Sequence, residues 1–112
     1  MRRGEIWWAS LPEPTGSMPG YRRPVMIVQS DAFTASAINT VAVLTITSNL
    51  RLANAPGNVP VTPHQSGLPR DSVINVSQIL TVDKSALTER AGILPGRIVQ
   101  AVEEGLRFVL GL

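Results

Sequence analysis

The chain has 112 residues, a formal net charge of +2 at pH 7 and no cysteine. That length suits one domain with a modest core, and the missing thiols exclude disulfides, thiolate metal sites and cysteine nucleophiles. No apolar stretch approaches the roughly 20 residues of a membrane helix, the first residues do not resemble a signal peptide, and we expect a cytoplasmic protein.

The cationic side chains are almost all arginines. Lys84 is the single lysine among ten basic residues. A guanidinium keeps its charge at any working pH and suits phosphate or carboxylate partners. Few aromatic residues and no long basic run are present, so any nucleic-acid site is expected to be a small site with a defined shape and not a generic basic tail.

The first third of the chain predicts two strands joined by a long loop. Residues 5–9 read as a strand in which Trp7 and Trp8 point to opposite faces. Prolines and glycines across residues 12–20 break helix and sheet, and the apolar run at residues 25–28 predicts a buried second strand.

Two arginines stand at the mouth of that second strand. Pro24 lacks an N–H and biases Arg23 toward an extended conformation, so Arg23 should enter the strand in a fixed direction. Paired permanent cations at this place indicate an anion site. The alternative is that Arg22 and Arg23 are two solvated surface arginines.

The middle of the chain predicts short elements separated by turns. A single helical turn is expected at residues 31–37, after an N-cap of the Ser or Asp type. β-Branched residues predict a third strand at residues 40–47, and residues 50–57 form a second loop. A proline within residues 58–62 favours a short strand at a sheet edge.

The last third predicts two strands and an amphipathic helix. In a strand at residues 72–80, Asn75 and Ser77 would share a polar face. A short strand near residues 89–94 is followed by Pro95 and Gly96, a plausible helix start. Gly105 costs that helix about 1 kcal/mol relative to alanine, which suggests a close contact with another backbone.

These elements together predict a mainly β fold with one C-terminal helix. Short strands, loops rich in proline and glycine, and a single long helix are typical of a small, strongly bent barrel. We expect residues 1–112 to form one domain.

Counting side chains narrows the chemistry. His64 is the only histidine and has no acid or nucleophile beside it, so a solvated loop residue is expected. The carboxylates are scattered apart from Glu103 and Glu104, which argues against a metal site. No glycine-rich phosphate loop is present, and we expect no cofactor.

After these exclusions, the remaining chemistry is a metal-free reaction in which arginine side chains, hydroxyl groups and backbone N–H groups stabilise an anion. Cleavage of RNA fits, because the substrate's own 2′-OH can attack the adjacent phosphate while the protein orients it and stabilises the growing charge. Arg23 and Thr47 end two strands that could be neighbours, and they are the natural pair. Thr47 could instead be only a β-branched residue that ends a strand.

Five segments in order resemble the MazF/PemK family of toxin endoribonucleases from type II toxin–antitoxin systems. They cover nearly the whole chain and comprise residues 3–7 (RGEIW), 23–29 (RPVMIVQ), 46–49 (ITSN), 67–73 (GLPRDSV) and 78–84 (QILTVDK). The resemblance implies an SH3-like barrel, a homodimer, and metal-independent cleavage of single-stranded RNA at a short sequence.

The resemblance also assigns roles to residues. The family's catalytic arginine and threonine fall on Arg23 and Thr47. Because a guanidinium does not deprotonate in proteins, we assign Arg23 to phosphate positioning and transition-state charge, Thr47 to a hydrogen bond with the phosphate, and leave the proton acceptor open. Candidate RNA-binding residues are Tyr21, Arg22, Ser48, Asn49, Arg51, Ser77 and Gln78, with the loops at residues 13–21 and 50–57 as base readers. Tyr21 could stack on a base or pack within its loop.

The family further implies an antitoxin whose acidic, flexible segment covers the RNA groove. The alternative function is that of a gyrase poison like CcdB, which shares the barrel but has no nuclease activity and no need for Arg23 and Thr47. A third possibility is an inactive barrel used only for pairing and autoregulation.

Overall fold

The computed structural model describes residues 1–12 and 21–112. The predicted first loop, and with it the base readers expected at residues 13–20, therefore lies outside the described residues except at its edges.

The described part of the chain forms one antiparallel sheet. Its order is β4-β5-β3-β2-β1-β6. The strands are β1 (Glu5–Leu11), β2 (Tyr21–Ile27), β3 (Thr40–Thr47), β4 (Val59–Val61), β5 (Ser72–Asp83) and β6 (Leu87–Ile93). The observed β3 has the predicted bounds, whereas β1 and β5 run further than expected and β6 begins earlier.

The described residues form two short helices and one long helix at the C-terminus. They are α1 (Asp31–Ala35), α2 (Pro63–Ser66) and α3 (Gly96–Leu110), with 3-10 turns at Leu50–Asn54 and Lys84–Ala86. In α2, Thr62 and Gln65 form a reciprocal capping box, which satisfies the first backbone N–H groups of this single turn. The predicted mainly β fold with one long C-terminal helix is confirmed.

The sheet carries apolar clusters on both faces. One cluster packs against α3 and includes Met26, Leu44, Ile46, Ile74, Ile98 and Val102. The other includes Ala9, Val25, Ile27, Val41, Val43 and Leu87. Trp7 packs against the second cluster and Trp8 against the first, so their predicted opposite orientation is confirmed.

A bulge bends β5 in its middle. Leu44 of β3 pairs with Ile79, but the next residue, Thr45, pairs with Asn75, which leaves residues 76–78 without a pair in this ladder. Extra residues on one strand bend it and increase its twist. The shared polar face expected for Asn75 and Ser77 is nevertheless present, since Oδ1 of Asn75 accepts hydrogen bonds from the N–H and the hydroxyl of Ser77, although Asn75 itself is only 7% exposed.

Candidate functional site

The predicted pair lies at the ends of two neighbouring strands, β2 and β3. The printed ladder joins Val25 to Thr45, Met26 to Leu44 and Ile27 to Val43. Arg23 on β2 and Thr47 on β3 each lie two residues beyond the last pair of this ladder, Val25 and Thr45. The expectation that these two strands are neighbours is confirmed, and the catalytic roles stay predictions.

Backbone contacts fix the loop that follows Thr47. The Oγ1 atom of Thr47 accepts a hydrogen bond of 3.1 Å from the N–H of Asn49. The Asn49 side chain then accepts one of 3.2 Å from the N–H of Arg51 and caps the 3-10 turn. A hydroxyl that accepts one bond retains a proton to donate. Thr47 is half-buried, whereas Ser48, Asn49 and Arg51 are exposed at its side.

Arg22 lies over an indole ring. Its Cζ atom is 4.3 Å from the ring centroid of Trp8, and its Nη2 is 3.0 Å from Oε2 of Glu89. The register explains this arrangement, because Trp8 pairs with Pro24 across β2 and with Glu89 across β6. The contact of a guanidinium with an aromatic face is favourable and orients Arg22.

An open pocket of about 290 Å³ lies beside this stack. Its lining consists of Trp8, Arg22, Arg23, Pro24, Ile46, Ser48, Leu68, Pro69, Arg70 and Ser72. Within the described part of the chain, the lining holds three arginines and no carboxylate, which favours an anionic occupant. The pocket lining includes Arg22, Arg23 and Ser48 of the predicted set but not Thr47.

The remaining predicted residues are distributed around these strand ends. Gln78 lies in the β5 bulge, where its Oε1 accepts a hydrogen bond of 2.7 Å from the hydroxyl of Thr45. Ser77 is exposed and donates its hydroxyl proton to Asn75. Both residues lie on β5, which β3 separates from β2 and Arg23.

Tyr21 begins β2 in an uncommon backbone conformation. Its φ is 59°, in the left-handed region that residues other than glycine rarely adopt. The side chain is 61% exposed, and the loop in which it could instead pack lies outside the described residues. Its role as a stacking residue stays a prediction.

Sequence reasoning missed Trp8 and the segment from Leu68 to Arg70 as parts of the site. Gly67, with φ of 76°, ends α2, and the N–H of Leu68 donates to Oγ of Ser66 at 3.0 Å, which directs this segment to the pocket. The signal was present, since residues 67–73 form one of the five family segments. That segment did not indicate that Arg70 and Arg22 would line the same pocket.

Among residues 1–12 and 21–112, Glu5 is the titratable group whose pKa is clearly moved, and it lies away from the pocket lining. Burial raises the pKa of its carboxyl, but hydrogen bonds from Trp7 Nε1, the N–H of Arg2 and the guanidinium of Arg90 outweigh burial and hold it below 4.5. The bond from Arg90 joins β6 to β1. Glu5 therefore has a structural role.

Other reactive groups do not cluster. Within residues 1–12 and 21–112, no three His, Asp or Glu side chains come close enough to hold a metal ion. His64 is exposed on α2, as expected for a solvated residue. None of the helices in the same ranges has both the length and the apolar character needed to span a membrane.

Comparison with known proteins identifies close sequence relatives. A family model described as PemK-like, MazF-like toxin of type II toxin–antitoxin system matches residues 2–110. Endoribonuclease MazF6 of Mycobacterium tuberculosis is 49% identical over 110 residues, 98% of this chain and 96% of that protein. Endoribonuclease EndoA of Bacillus subtilis is 35% identical over 115 residues, 100% of this chain and 96% of that protein.

The fold also matches solved structures. A mycobacterial endoribonuclease in complex with its cognate antitoxin superposes with a TM-score of 0.83 and 21% identity, covering 100% of this chain and 96% of that one. Identity at this level is evidence for the fold alone.

Proposed function

Because this chain belongs to the PemK-like, MazF-like toxin family of type II toxin–antitoxin systems, we propose that it is an endoribonuclease that cleaves single-stranded RNA at a short sequence without a metal ion. Relatives 49% and 35% identical to it are named endoribonucleases. The observation that carries the proposal is the pairing of β2 with β3, whose neighbouring ends hold Arg23 and Thr47, together with a pocket lined by three arginines that include Arg23.

In the proposed reaction, the 2′-OH of one nucleotide attacks the adjacent phosphorus and the bond to the following 5′-oxygen breaks. The 2′-OH proton passes to an acceptor that we leave unassigned, and the leaving 5′-oxygen takes up a proton. The products carry a 2′,3′-cyclic phosphate and a 5′-OH. No metal-bound water is needed, because the nucleophile belongs to the substrate.

Arg23 and Thr47 act on the phosphate in this scheme. The guanidinium of Arg23 donates two hydrogen bonds to non-bridging oxygens, whose negative charge increases in the transition state. The hydroxyl of Thr47 donates a further hydrogen bond to the same group. Both side chains project from strand ends, so little reorganisation is required when the substrate binds.

Recognition of the RNA falls to the residues around this pair. Splayed bases of single-stranded RNA are read by stacking and by hydrogen bonds to their edges. The proposed RNA-binding residues are Tyr21, Arg22, Ser48, Asn49, Arg51, Ser77 and Gln78.

We further propose that the chain is a single toxin domain, acts as a homodimer in the cytoplasm, and is neutralised by an antitoxin. The mycobacterial structure with the same fold is a complex with its cognate antitoxin. An acidic, flexible segment would complement the arginines of the pocket and could order itself on binding.

The test is incubation of the purified protein with long single-stranded RNA in EDTA, followed by mapping of the cut ends. We expect cuts at one short sequence, with cyclic phosphate ends. RNA that stays intact while gyrase–DNA complexes are trapped would overturn the proposal in favour of a CcdB-like gyrase poison. Cutting that requires added Mg²⁺ would overturn metal independence alone.

A further inference from the structure

We propose that the pocket beside Arg22 is a subsite for one extruded nucleobase of the RNA, with Trp8 as its stacking platform. This inference rests on the proposed nuclease function and names a base-reading site, formed largely by residues outside the predicted set. Four features support it: the indole of Trp8, the walls of the pocket, the guanidinium of Arg22 above the indole, and the nearby proposed catalytic pair.

The walls of the pocket suit a planar aromatic ring. Trp8 is half-buried and packs on the cluster under α3, so its ring is held in place, with Arg22 over one face. Apolar contacts come from Pro24, Ile46 and Leu68, and the hydroxyl-bearing Ser48 and Ser72 complete the lining. Apolar walls with a few polar groups that fix orientation are typical of ligand pockets.

Arg22 occupies the position that a base would take above the indole. Its guanidinium is a planar group whose Cζ atom lies over the ring, 4.3 Å from the centroid. A nucleobase can replace it in that stack, and the released guanidinium can then contact a phosphate.

The contact that holds Arg22 in place is weak enough for this exchange. Its ion pair with Glu89 joins side chains that are 54% and 68% exposed. Exposed ion pairs contribute little to stability, whereas stacking of a base on an aromatic side chain contributes substantially to binding. Exchange of the guanidinium for a base is therefore favourable once RNA is bound.

The position of the pocket favours RNA over an acidic protein segment. Arg23 lines the pocket and lies on β2, which pairs with the strand that ends at Thr47. A nucleotide whose base enters the pocket would keep its phosphate near Arg23, so the pocket would read a base next to the cleaved bond. An acidic segment would satisfy the arginines but would make no use of the indole face.

The first experiment compares base preference in two matched variants. Trp8→Leu removes the platform, and Trp7→Leu makes the same change one residue away on the opposite face. Each protein cuts a random single-stranded RNA library. The preference at each position is the ratio of the frequencies of the four bases among the cut sequences. A partly unfolded population does not alter that ratio.

We expect Trp8→Leu to lose the preference at one position next to the cut and to cut the preferred sequence about 5- to 150-fold more slowly, as loss of one stacked base predicts. Trp7→Leu should keep the parent's preference. Preference unchanged in both variants, with the parent cutting normally, would overturn the subsite while leaving the nuclease intact. A parent that cuts no RNA would instead refute the proposed function.

A second measurement uses conservative variants that should fold. The chain has two tryptophans, so Trp7→Phe leaves Trp8 as the single indole and Trp8→Phe leaves Trp7. On binding a 2′-O-methyl RNA of the cut sequence, followed independently by anisotropy, we expect the fluorescence of Trp8 to be quenched and that of Trp7 to be unchanged. Bound RNA without quenching of Trp8 would overturn the inference, as would quenching by an acidic antitoxin peptide alone.

Discussion

Gly105 of α3 lies directly against the backbone of Gly57. A Cβ atom at position 105 would be 2.2 Å from the carbonyl oxygen of Gly57, which itself has a φ of +84°. The close backbone contact suggested by a glycine within a helical pattern is therefore confirmed. It sets the distance between the terminal helix and the segment that leads into β4.

We expect Gly105→Ala to lower the free energy of unfolding. Overpacking costs about 1–3 kcal/mol, and here it exceeds the roughly 1 kcal/mol gain in helix propensity, because the opposing atom belongs to the backbone and cannot rotate away. Urea unfolding gives the comparison. Gly96→Ala is the matched control, since a Cβ there meets nothing within 4 Å. An equal or higher midpoint for Gly105→Ala would contradict this packing.

Replacement of the proposed catalytic pair should remove RNA cleavage without unfolding the protein. We expect Arg23→Ala and Thr47→Ala to abolish detectable cutting, and Arg23→Lys to be slower by about 10²–10³-fold, the effect typical of losing one preorganised donor. Lysine keeps the charge but not the two-pronged geometry. Cleavage rates at saturating RNA, with circular dichroism as the folding check, measure the effect.

Arg97 in α3 provides the control for that series. It is exposed and lies outside the pocket lining, so Arg97→Lys should cut at the parent's rate. If Arg23→Lys also cuts at that rate, the assignment of Arg23 is wrong.

Some elements are determined by residues within their own segment and could be predicted from the sequence, whereas others depend on contacts with distant segments or on single side chains. The bounds of β3 could be predicted, because its β-branched run ends where Thr47 is followed by turn residues. The start of α3 could also be predicted, since Pro95 and Gly96 lie directly before the helical pattern of apolar residues. The β5 bulge could not, because the Asn75 side chain bonds the backbone of Ser77 and competes with regular strand pairing.

The candidate site divides in the same way. Arg23 and Thr47 could be selected from residue chemistry and a family resemblance, and only the antiparallel pairing of β2 with β3 was needed to bring their strand ends together. The stack of Arg22 on Trp8 depends on the registers of three strands, which bring Glu89 beside the same indole. No pattern within one segment contains that information.

RNA affinity should fall with salt in proportion to the arginines that contact phosphate. For a non-cleavable single strand, each lost phosphate contact reduces the slope of log K against log salt by about 0.7. We expect that change in Arg70→Gln, because Arg70 is exposed and lines the pocket. Titrations between low and moderate salt measure it, with Arg97→Gln as the control. An unchanged slope for Arg70→Gln would exclude a phosphate contact there.

The carboxylate of Glu5 should make stability depend on acid pH. Its side chain is 8% exposed and 3.2 Å from the guanidinium of Arg90, and its pKa lies below 4.5 in the folded protein. Because the folded-state pKa is lower than the unfolded one, the stabilisation is fully present above pH 4.5 and is lost as pH falls through the folded-state value.

We therefore expect Glu5→Gln to be less stable than the parent at pH 7, by about 1–3 kcal/mol, because its amide sets a donor against the guanidinium of Arg90 and leaves buried donors poorly matched. The difference should shrink as pH falls below 4.5, since the parent carboxyl then becomes neutral as well. Denaturant unfolding at several pH values measures both quantities. Glu104→Gln, an exposed change on α3, should alter stability by no more than about 0.5 kcal/mol. A constant difference between Glu5→Gln and the parent from pH 7 to pH 3 would show that ionisation of Glu5 does not contribute to stability.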